Sequence, residues 1–366
     1  MLSSLPQNSV VQVPPVTFYP GPSKVYPQVV QYMQEAYAQG ILSANHRSQT
    51  FMSICQKAIE LLKIKLNIPR DFTILFVSSA TECWEIIAQS LTSTQSFHIY
   101  NGAFGQKWME YAQKLHPQTS GISFDIQEEL NTENIAVPAE AEIICLTQNE
   151  TSNGTQLSAS FIRTLQQKYP QKLIAVDATS SLGGIAMDYQ AADMWFASVQ
   201  KCLGLPAGLG IFICSPRTIE KANLLKENNH YNSLLFMYDN ILKYQTHYTP
   251  NVLNIYLLMR VMEQVKEISD IDKISKLRAD VLYSFFQDFS QFTPLIAHTQ
   301  LRSETVLAIQ AEKNTITELK EKAKKAGIIL GNGYGSWKEI TFRIANFPAI
   351  SDEDIEALKH FFSTNN

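Results

Sequence analysis

Leu173-Ile174-Ala175-Val176-Asp177 decides the fold: it is an uninterrupted apolar run that ends on a carboxylate. A run this short and this apolar has no polar face to offer water, so it suits a strand covered on both sides within a parallel sheet. Ile74-Leu75-Phe76-Val77, Ile143-Ile144-Cys145-Leu146 and Gly210-Ile211-Phe212-Ile213-Cys214 read the same way, and Ser96 to Tyr100 adds another strand. Between these runs the spacing is helical, predicting helices from Glu82 to Leu91 and from about Phe104 to Leu115. Two further helices precede them, Pro27 to about Gln39 and about Ser48 to Leu66; in the second, Phe51, Ile54, Cys55, Ala58, Ile59 and Leu62 recur along one face. Strand and helix in alternation predict a large α/β domain with a mostly parallel sheet flanked by helices.

Beyond it the pattern changes. A long helical stretch runs from about Leu253 to Phe289. Strands at about Ser303 to Ile309 and Ile340 to Ile344 then alternate with helices near Thr315 to Ala326 and Asp352 to Phe362, the pattern of a small α+β domain. The expected organisation is an N-terminal arm over 1–15, a large domain over 16–252 and a small C-terminal domain over 253–366.

Composition narrows the function class. The 366 residues are 45% hydrophobic and 17% charged, with a formal net charge of -4, which is ordinary for a soluble globular chain. Such a balance carries no basic footprint for nucleic acid. No apolar run reaches the ~18 residues a membrane span needs. The cysteines at 55, 83, 145, 202 and 214 form no CxxC pair and no Cys/His cluster of zinc spacing, so no metal site is expected. They read as small buried apolar residues in a reducing compartment. The Pro-rich start, Met1 to Pro15, lacks the basic and apolar segments of a signal peptide, and the expected location is cytoplasmic.

In an open parallel sheet, ligands collect beyond the carboxyl ends of the strands. Asp177 stands at such an end, and Lys201 closes the apolar stretch Trp195-Phe196-Ala197-Ser198-Val199-Gln200-Lys201, ahead of Gly204, Gly208 and Gly210. Alone, Asp177 would cap a loop and Lys201 would be a solvated surface charge. Together they match the needs of pyridoxal phosphate chemistry: a lysine that forms an imine with the aldehyde and moves the α-proton, and a carboxylate that keeps the ring nitrogen protonated. Ser78-Ser79-Ala80-Thr81 follows a strand and opens a helix, aiming free N–H groups at an anion. The same residues read as a capping box, Ser79 to Glu82, and both readings need an exposed helix N-terminus.

Six ordered segments then carry a resemblance: Phe18-Tyr19-Pro20-Gly21-Pro22, His46-Arg47-Ser48, Asn149-Glu150-Thr151, Val176-Asp177-Ala178-Thr179-Ser180, Ser198-Val199-Gln200-Lys201 and Tyr248-Thr249-Pro250. Their order resembles that in the class V, fold-type I pyridoxal-phosphate aminotransferases, nearest to those acting on phosphoserine, and the likeness extends to Phe342-Arg343-Ile344-Ala345-Asn346. The resemblance implies an aspartate-aminotransferase-like fold and transamination, with 3-phosphohydroxypyruvate and glutamate giving phosphoserine and 2-oxoglutarate in serine biosynthesis. It implies that Lys201 carries the imine, Asp177 pairs with the ring nitrogen, Thr151 bonds the phenolic oxygen and Phe104 stacks on the ring. Ser79, Ala80, Thr81 and Gln200 would hold the phosphate, completed by Tyr248 and Thr249 of a neighbouring subunit in a homodimer. Arg343 would clamp the α-carboxylate, and His46 and Arg47 would face the distal anion.

The chain departs from that pattern where a second His-Arg pair is expected before Arg343, reading Gly335-Ser336-Trp337-Lys338 instead. Lys338 would have to supply the missing charge. The phosphate loop also reads Ser-Ser-Ala-Thr where the family has a Gly-rich, Arg-containing version. An alanine- or serine-glyoxylate aminotransferase is therefore the alternative. A cysteine desulfurase would need a cysteine in the small domain, and none follows Cys214. A non-catalytic interaction protein on the same fold is the remaining rival, and the presence of both Asp177 and Lys201 argues against it.

Overall fold

Seven strands form the large sheet of the computed structural model, which describes residues 15–365. The expected N-terminal arm lies outside the described residues except for Pro15. In chain order the strands are β1 (Thr73–Val77), β2 (Ser96–Tyr100), β3 (Ser120–Ser123), β4 (Ile143–Thr147), β5 (Leu173–Asp177), β6 (Met194–Ser198) and β7 (Gly210–Cys214). Across the sheet they lie in the order β1-β7-β6-β5-β4-β2-β3. All neighbours are parallel except β7, which is antiparallel to both β1 and β6. The connection 199–209 contains no helix to carry the chain back to the far end of the sheet, so β7 must return antiparallel. Its first residue, Gly210, therefore sits beside Val77 and Ser198, at the edge where the parallel strands end.

Helices cover both faces, as the apolar runs require. Ser48 caps the helix Gln49–Leu66, its hydroxyl accepting from the Phe51 N–H at 3.3 Å, and Asn67 ends it in the left-handed region at φ +56°. The helix after β1 starts at Ala80, ahead of the expected Glu82, because Ser79 is its N-cap. The predicted long helix is two, Val252–Gln264 and Ile268–Gln287, separated where Val265 and Glu267 adopt extended backbone. No Gly or Pro marks this break, and Val261, Met262, Ile268 and Ile271 keep up the apolar spacing across it, so periodicity alone reads straight through. The second of the two helices serves both cores: Ile268 and Ile271 pack with the large one, while Ala279, Leu282 and Phe286 pack with the small one.

The smaller unit has an antiparallel sheet of β8 (Thr293–Pro294), β9 (Val306–Gln310), β10 (Gly331–Asn332) and β11 (Thr341–Ala345), in the order β8-β9-β11-β10. Residues alternate across β11. Phe342 enters an aromatic cluster with Phe286, Phe292 and Phe362, at centroid distances of 5.9, 5.6 and 5.7 Å, while Arg343 faces the other way. The start of the described chain is also fixed here: Val16–Thr17 pairs in parallel with Ile328–Ile329, and Phe18 is buried in the small core. The expected architecture, a mostly parallel α/β sheet with a small α+β unit, is the one the chain adopts.

Phe286 stands at the centre of that aromatic cluster and is fully buried. Phe286→Ala should cost about 3–5 kcal/mol through lost burial and the cavity left behind, read as a lower denaturant midpoint in chemical unfolding.

Candidate active site

The carboxyl ends of the parallel strands bring the chemistry-bearing residues together. Thr147 lies beside Asp177 in the ladder, and Asp177 beside Phe196, so the turns after β4, β5 and β6 share one lip. Lys201 follows β6 in a tight turn in which the Gly204 N–H bonds back to the Lys201 carbonyl at 2.9 Å. A strap from the N-terminal segment lies over it. The Ser23 N–H donates to the Gln200 carbonyl at 3.0 Å, and a Cβ placed on Gly21 would stand 3.0 Å from Lys201 Cε and 3.3 Å from Nζ. With φ at +146°, glycine is the residue that this close approach permits.

Lys201 is only 8% exposed, and its Nζ donates to Thr151 Oγ1 at 3.2 Å. Thr151 Oγ1 lies 2.8 Å from Ser180 Oγ, whose own proton goes to the Asn149 carbonyl at 2.9 Å. That last bond fixes the direction of the chain: Thr151 donates to Ser180 and accepts from Lys201. Burial brings the Lys201 amine down to about 8, opposed by the nearby Asp177 carboxylate and reinforced by Arg343. Asp177 accepts from the Thr179 N–H at 2.9 Å, yet burial still pushes its carboxyl up to about 6. Gln200 Oε1, next to Lys201 in the chain, is buried without a hydrogen-bond partner in the protein, and buried polar atoms are rarely left so.

Arg343 reaches the same place from the small unit. Its Nε donates to the Asn332 carbonyl and its Nη1 to the Thr151 carbonyl, both at 2.6 Å. The guanidinium is thus anchored by backbone acceptors, and Nη2 has no hydrogen bond among the described residues. Burial lowers its affinity for the proton, while Tyr19, Glu150 and Tyr334 act in the opposite sense. Phe104, at the start of the helix Ala103–Leu115, has its ring centroid 5.7 Å from Lys201 Nζ and stacks on Tyr334.

The loop after β1 forms the cap, and the N–H groups of Ser78, Ala80 and Glu82 are all taken within the protein. Ser79 Oγ accepts from the Glu82 N–H at 3.4 Å, but the Glu82 carboxylate returns to Ser78, accepting from its N–H and its hydroxyl at 2.7 Å each. The Ala80 N–H goes to Ser198 Oγ at 2.8 Å, tying the helix start to the end of β6. A Cβ on Gly210 would meet the Ser79 carbonyl carbon at 2.6 Å, so β7 leaves room for this loop only without a side chain. Tyr248 is half-buried, and burial with the nearby Glu82 pushes its phenol up to about 12; Thr249 is exposed. His46 and Arg47 lie apart from this lip, on the turn before Gln49, with no hydrogen bond or ion pair to it among the described residues. His46 is buried, which with Arg47 lowers its pKa, while Arg47 is exposed. Lys338 is exposed, and its neighbour Glu339 is paired with Lys313 at 3.1 Å, a bond that lowers the Glu339 pKa.

Similarity to known proteins follows this geometry. The family described as "Aminotransferase class-V" matches residues 16–350. The chain belongs to the class V aminotransferases. A phosphoserine aminotransferase of Rhodococcus opacus (strain B4) is 25% identical over 92% of this chain and 91% of its own. The crystal structure of a phosphoserine aminotransferase from Cytophaga hutchinsonii superposes with a TM-score of 0.91 at 35% identity, covering 96% of this chain and 99% of that one. An alanine–glyoxylate aminotransferase from Nostoc sp. shares the fold, with a TM-score of 0.82 at 18% identity over 98% and 97% of the two chains. The fold is that of the fold-type I aminotransferases, as the ordered segments implied.

Within this class V aminotransferase, one central residue had no role in the sequence reading. Glu150 is buried at 1% exposure, and its carboxylate accepts from the N–H groups of Phe104 and Gly105, at 3.2 and 3.1 Å, and from the N–H and hydroxyl of Ser152. It caps a helix whose own N-cap, Gly102, has no side chain, and a Cβ on Gly102 would collide with Glu150 Cγ at 2.3 Å. The signal in the sequence was the missing cap itself.

The two shifted groups have opposite pH signatures. Asp177, raised from 3.8 to about 6, contributes stability that is present below its ordinary pKa and lost as pH rises towards 6. Lys201, lowered from 10.5 to about 8, imposes a cost below 8 that is relieved as pH rises to its ordinary value. In the cofactor-free chain, Asp177→Asn should raise stability at pH 7 by on the order of 1–3 kcal/mol, with the gain vanishing below about pH 4. Urea unfolding at the two pH values reads the difference.

Proposed function

We propose that this chain is a pyridoxal-phosphate-dependent aminotransferase that interconverts 3-phosphohydroxypyruvate and glutamate with phosphoserine and 2-oxoglutarate, a step of serine biosynthesis. The observation that carries the reading is the convergence of a buried lysine amine with pKa about 8, the Asp177 carboxylate and the anchored Arg343 guanidinium at one lip. The phosphoserine part is supported by the names of the relatives, at 25% and 35% identity over nearly the whole chain.

The residues fit pyridoxal phosphate. Gln200 Oε1 is buried and unpaired, Gly21 holds the backbone close over Lys201, and the helix starting at Ala80 has its N-terminus at the same edge. Ser79, Ala80, Thr81 and Gln200 would hold the phosphate, with Tyr248 and Thr249 from the partner of a homodimer. Phe104 would meet the ring face and Thr151 its phenolic oxygen. When bound, the cofactor supplies an aldehyde for the substrate amine and a ring that accepts electrons.

The protein's share is proton placement. Lys201, hydrogen-bonded to a threonine that can only accept from it, takes the proton from the substrate Cα and returns it; an amine with pKa about 8 is matched to that exchange near neutral pH. Asp177, shielded from water, holds the proton on the ring nitrogen through a charge-assisted hydrogen bond. Arg343 orients the α-carboxylate with Nη2 and the free edge of its fork. His46 and Arg47 would serve the distal anion.

One observation favours the rival substrate. Lys338, which would have to replace the missing His-Arg pair, is exposed and its side chain makes no hydrogen bond to the lip among the described residues, which leaves fewer cations for a phosphate. Adding phosphoserine, glutamate, serine and alanine singly to the holoenzyme separates the two readings. Phosphoserine and glutamate should each bleach the visible band of the bound cofactor; bleaching by alanine or serine alone overturns the phosphoserine reading in favour of a glyoxylate-type aminotransferase. Lys201→Ala should lower turnover by at least about 10³-fold and abolish the visible band. A colourless wild-type protein that binds no cofactor would point to the non-catalytic alternative.

A further inference from the structure

Tyr334 belongs to the small unit, in the turn between β10 and β11, and its ring stacks on Phe104 of the large unit with centroids 5.2 Å apart and planes 27° apart. Lys107, on the same helix as Phe104, donates from Nζ to the Tyr334 hydroxyl at 2.8 Å. Its ammonium lies 5.3 Å from the Tyr334 ring centroid and 5.9 Å from that of Phe104. The Arg343 guanidinium is 5.6 Å from the Tyr334 ring, and Lys201 Nζ is 5.7 Å from the Phe104 ring. Two stacked rings thus gather three cations, an arrangement that ring quadrupoles stabilise and that mutual repulsion opposes.

Lys107 is exposed on its outer side, yet no carboxylate lies within ion-pair distance of it among the described residues. Its ammonium keeps N–H donors beyond the one given to Tyr334. A cation held by a phenol and two rings, without an ion-pair partner among the described residues and against the same Tyr334 ring that the Arg343 guanidinium meets, is placed to receive an anion. Phosphoserine and glutamate both carry a second anion a few bonds from the α-carboxylate, and the two differ in length and shape. A lysine on its flexible stem can follow both, where a planar guanidinium fork would favour one.

We propose that Lys107 receives the distal anion of the substrate, and that Tyr334, whose ring also meets Arg343, is the positioning residue that holds its amine. The proposal rests on the phosphoserine reading above and gives to Lys107 the role that the sequence offered to Lys338. Loss of one charge-assisted hydrogen bond sets the expected size of the effect, about 10- to 100-fold.

The test compares half-reactions of the holoenzyme with phosphoserine, glutamate and alanine for the wild type, Lys107→Gln, Lys107→Arg and Tyr334→Phe. Lys107→Gln should lower the ratio of kcat/KM for phosphoserine to that for alanine by about 10- to 100-fold, mainly through KM. Lys107→Arg should restore most of that ratio, and Tyr334→Phe should lose part of it. Spectral titration with succinate, an unreactive dianion, should show the same loss of affinity in Lys107→Gln, and butyrate should not. A ratio retained in Lys107→Gln, or an equal loss for all three substrates, overturns the role of Lys107 alone. A wild type with no preference for phosphoserine or glutamate over alanine overturns the phosphoserine reading and this proposal with it.

Discussion

The burial of the Lys201 amine opposite the Asp177 carboxylate is the constraint around which the rest of the structure is arranged. Each charge alone would cost several kcal/mol to remove from water, and both titrations are displaced towards neutrality as a result. The fold answers with a directed hydrogen-bond chain through Thr151 and Ser180 to the Asn149 carbonyl, and with a backbone N–H from Thr179. What remains uncompensated is chemical potential for reaction: an amine part of which is neutral near pH 7 and a carboxyl group shielded from water.

Topology makes that arrangement possible. Parallel strands end together, so residues far apart in the chain reach one lip. The reversed strand β7 brings Gly210 to that lip, and its lack of a side chain lets the Ser79 loop settle beside Ser198. The small unit is tied in through backbone: Arg343 bonds the Thr151 carbonyl, and the Val16–Thr17 segment pairs with Ile328–Ile329 before the chain crosses to Lys201 at Gly21 and Ser23. Arg343 and Lys201 are thereby held in register by a short covalent strap as well as by packing.

Much of this was legible. Apolar runs such as Leu173 to Val176 have few structural solutions, and a carboxylate at the end of one and a lysine at the end of the next stretch point to the lip directly. The cap was legible at Ser79, whose hydroxyl accepts from the Glu82 N–H, but the reciprocal bond was not, because the Glu82 carboxylate turns to Ser78. The break near Val265 was illegible, since the apolar spacing continues through it and the extended backbone there is set by packing against two different cores. Glu150 was quoted within a segment without a role, because its partners, the N–H groups of Phe104 and Gly105, are distant in the chain.

The sequence by itself determined most strands of the large sheet, the sheet type, the lysine–carboxylate pair and the family, because each depends on local apolar periodicity or on residue types at fixed points along the chain; the short polar strand Ser120–Ser123 and the two-residue strands of the small unit carry no such signal. Only the tertiary structure decided which cation meets the paired rings of Phe104 and Tyr334. Lys338 is nearest to Arg343 in sequence yet lies exposed, whereas Lys107, from the large unit, donates to the Tyr334 hydroxyl at 2.8 Å. The reason is geometric: the turn before β11 carries Tyr334, not Lys338, onto the ring of Phe104.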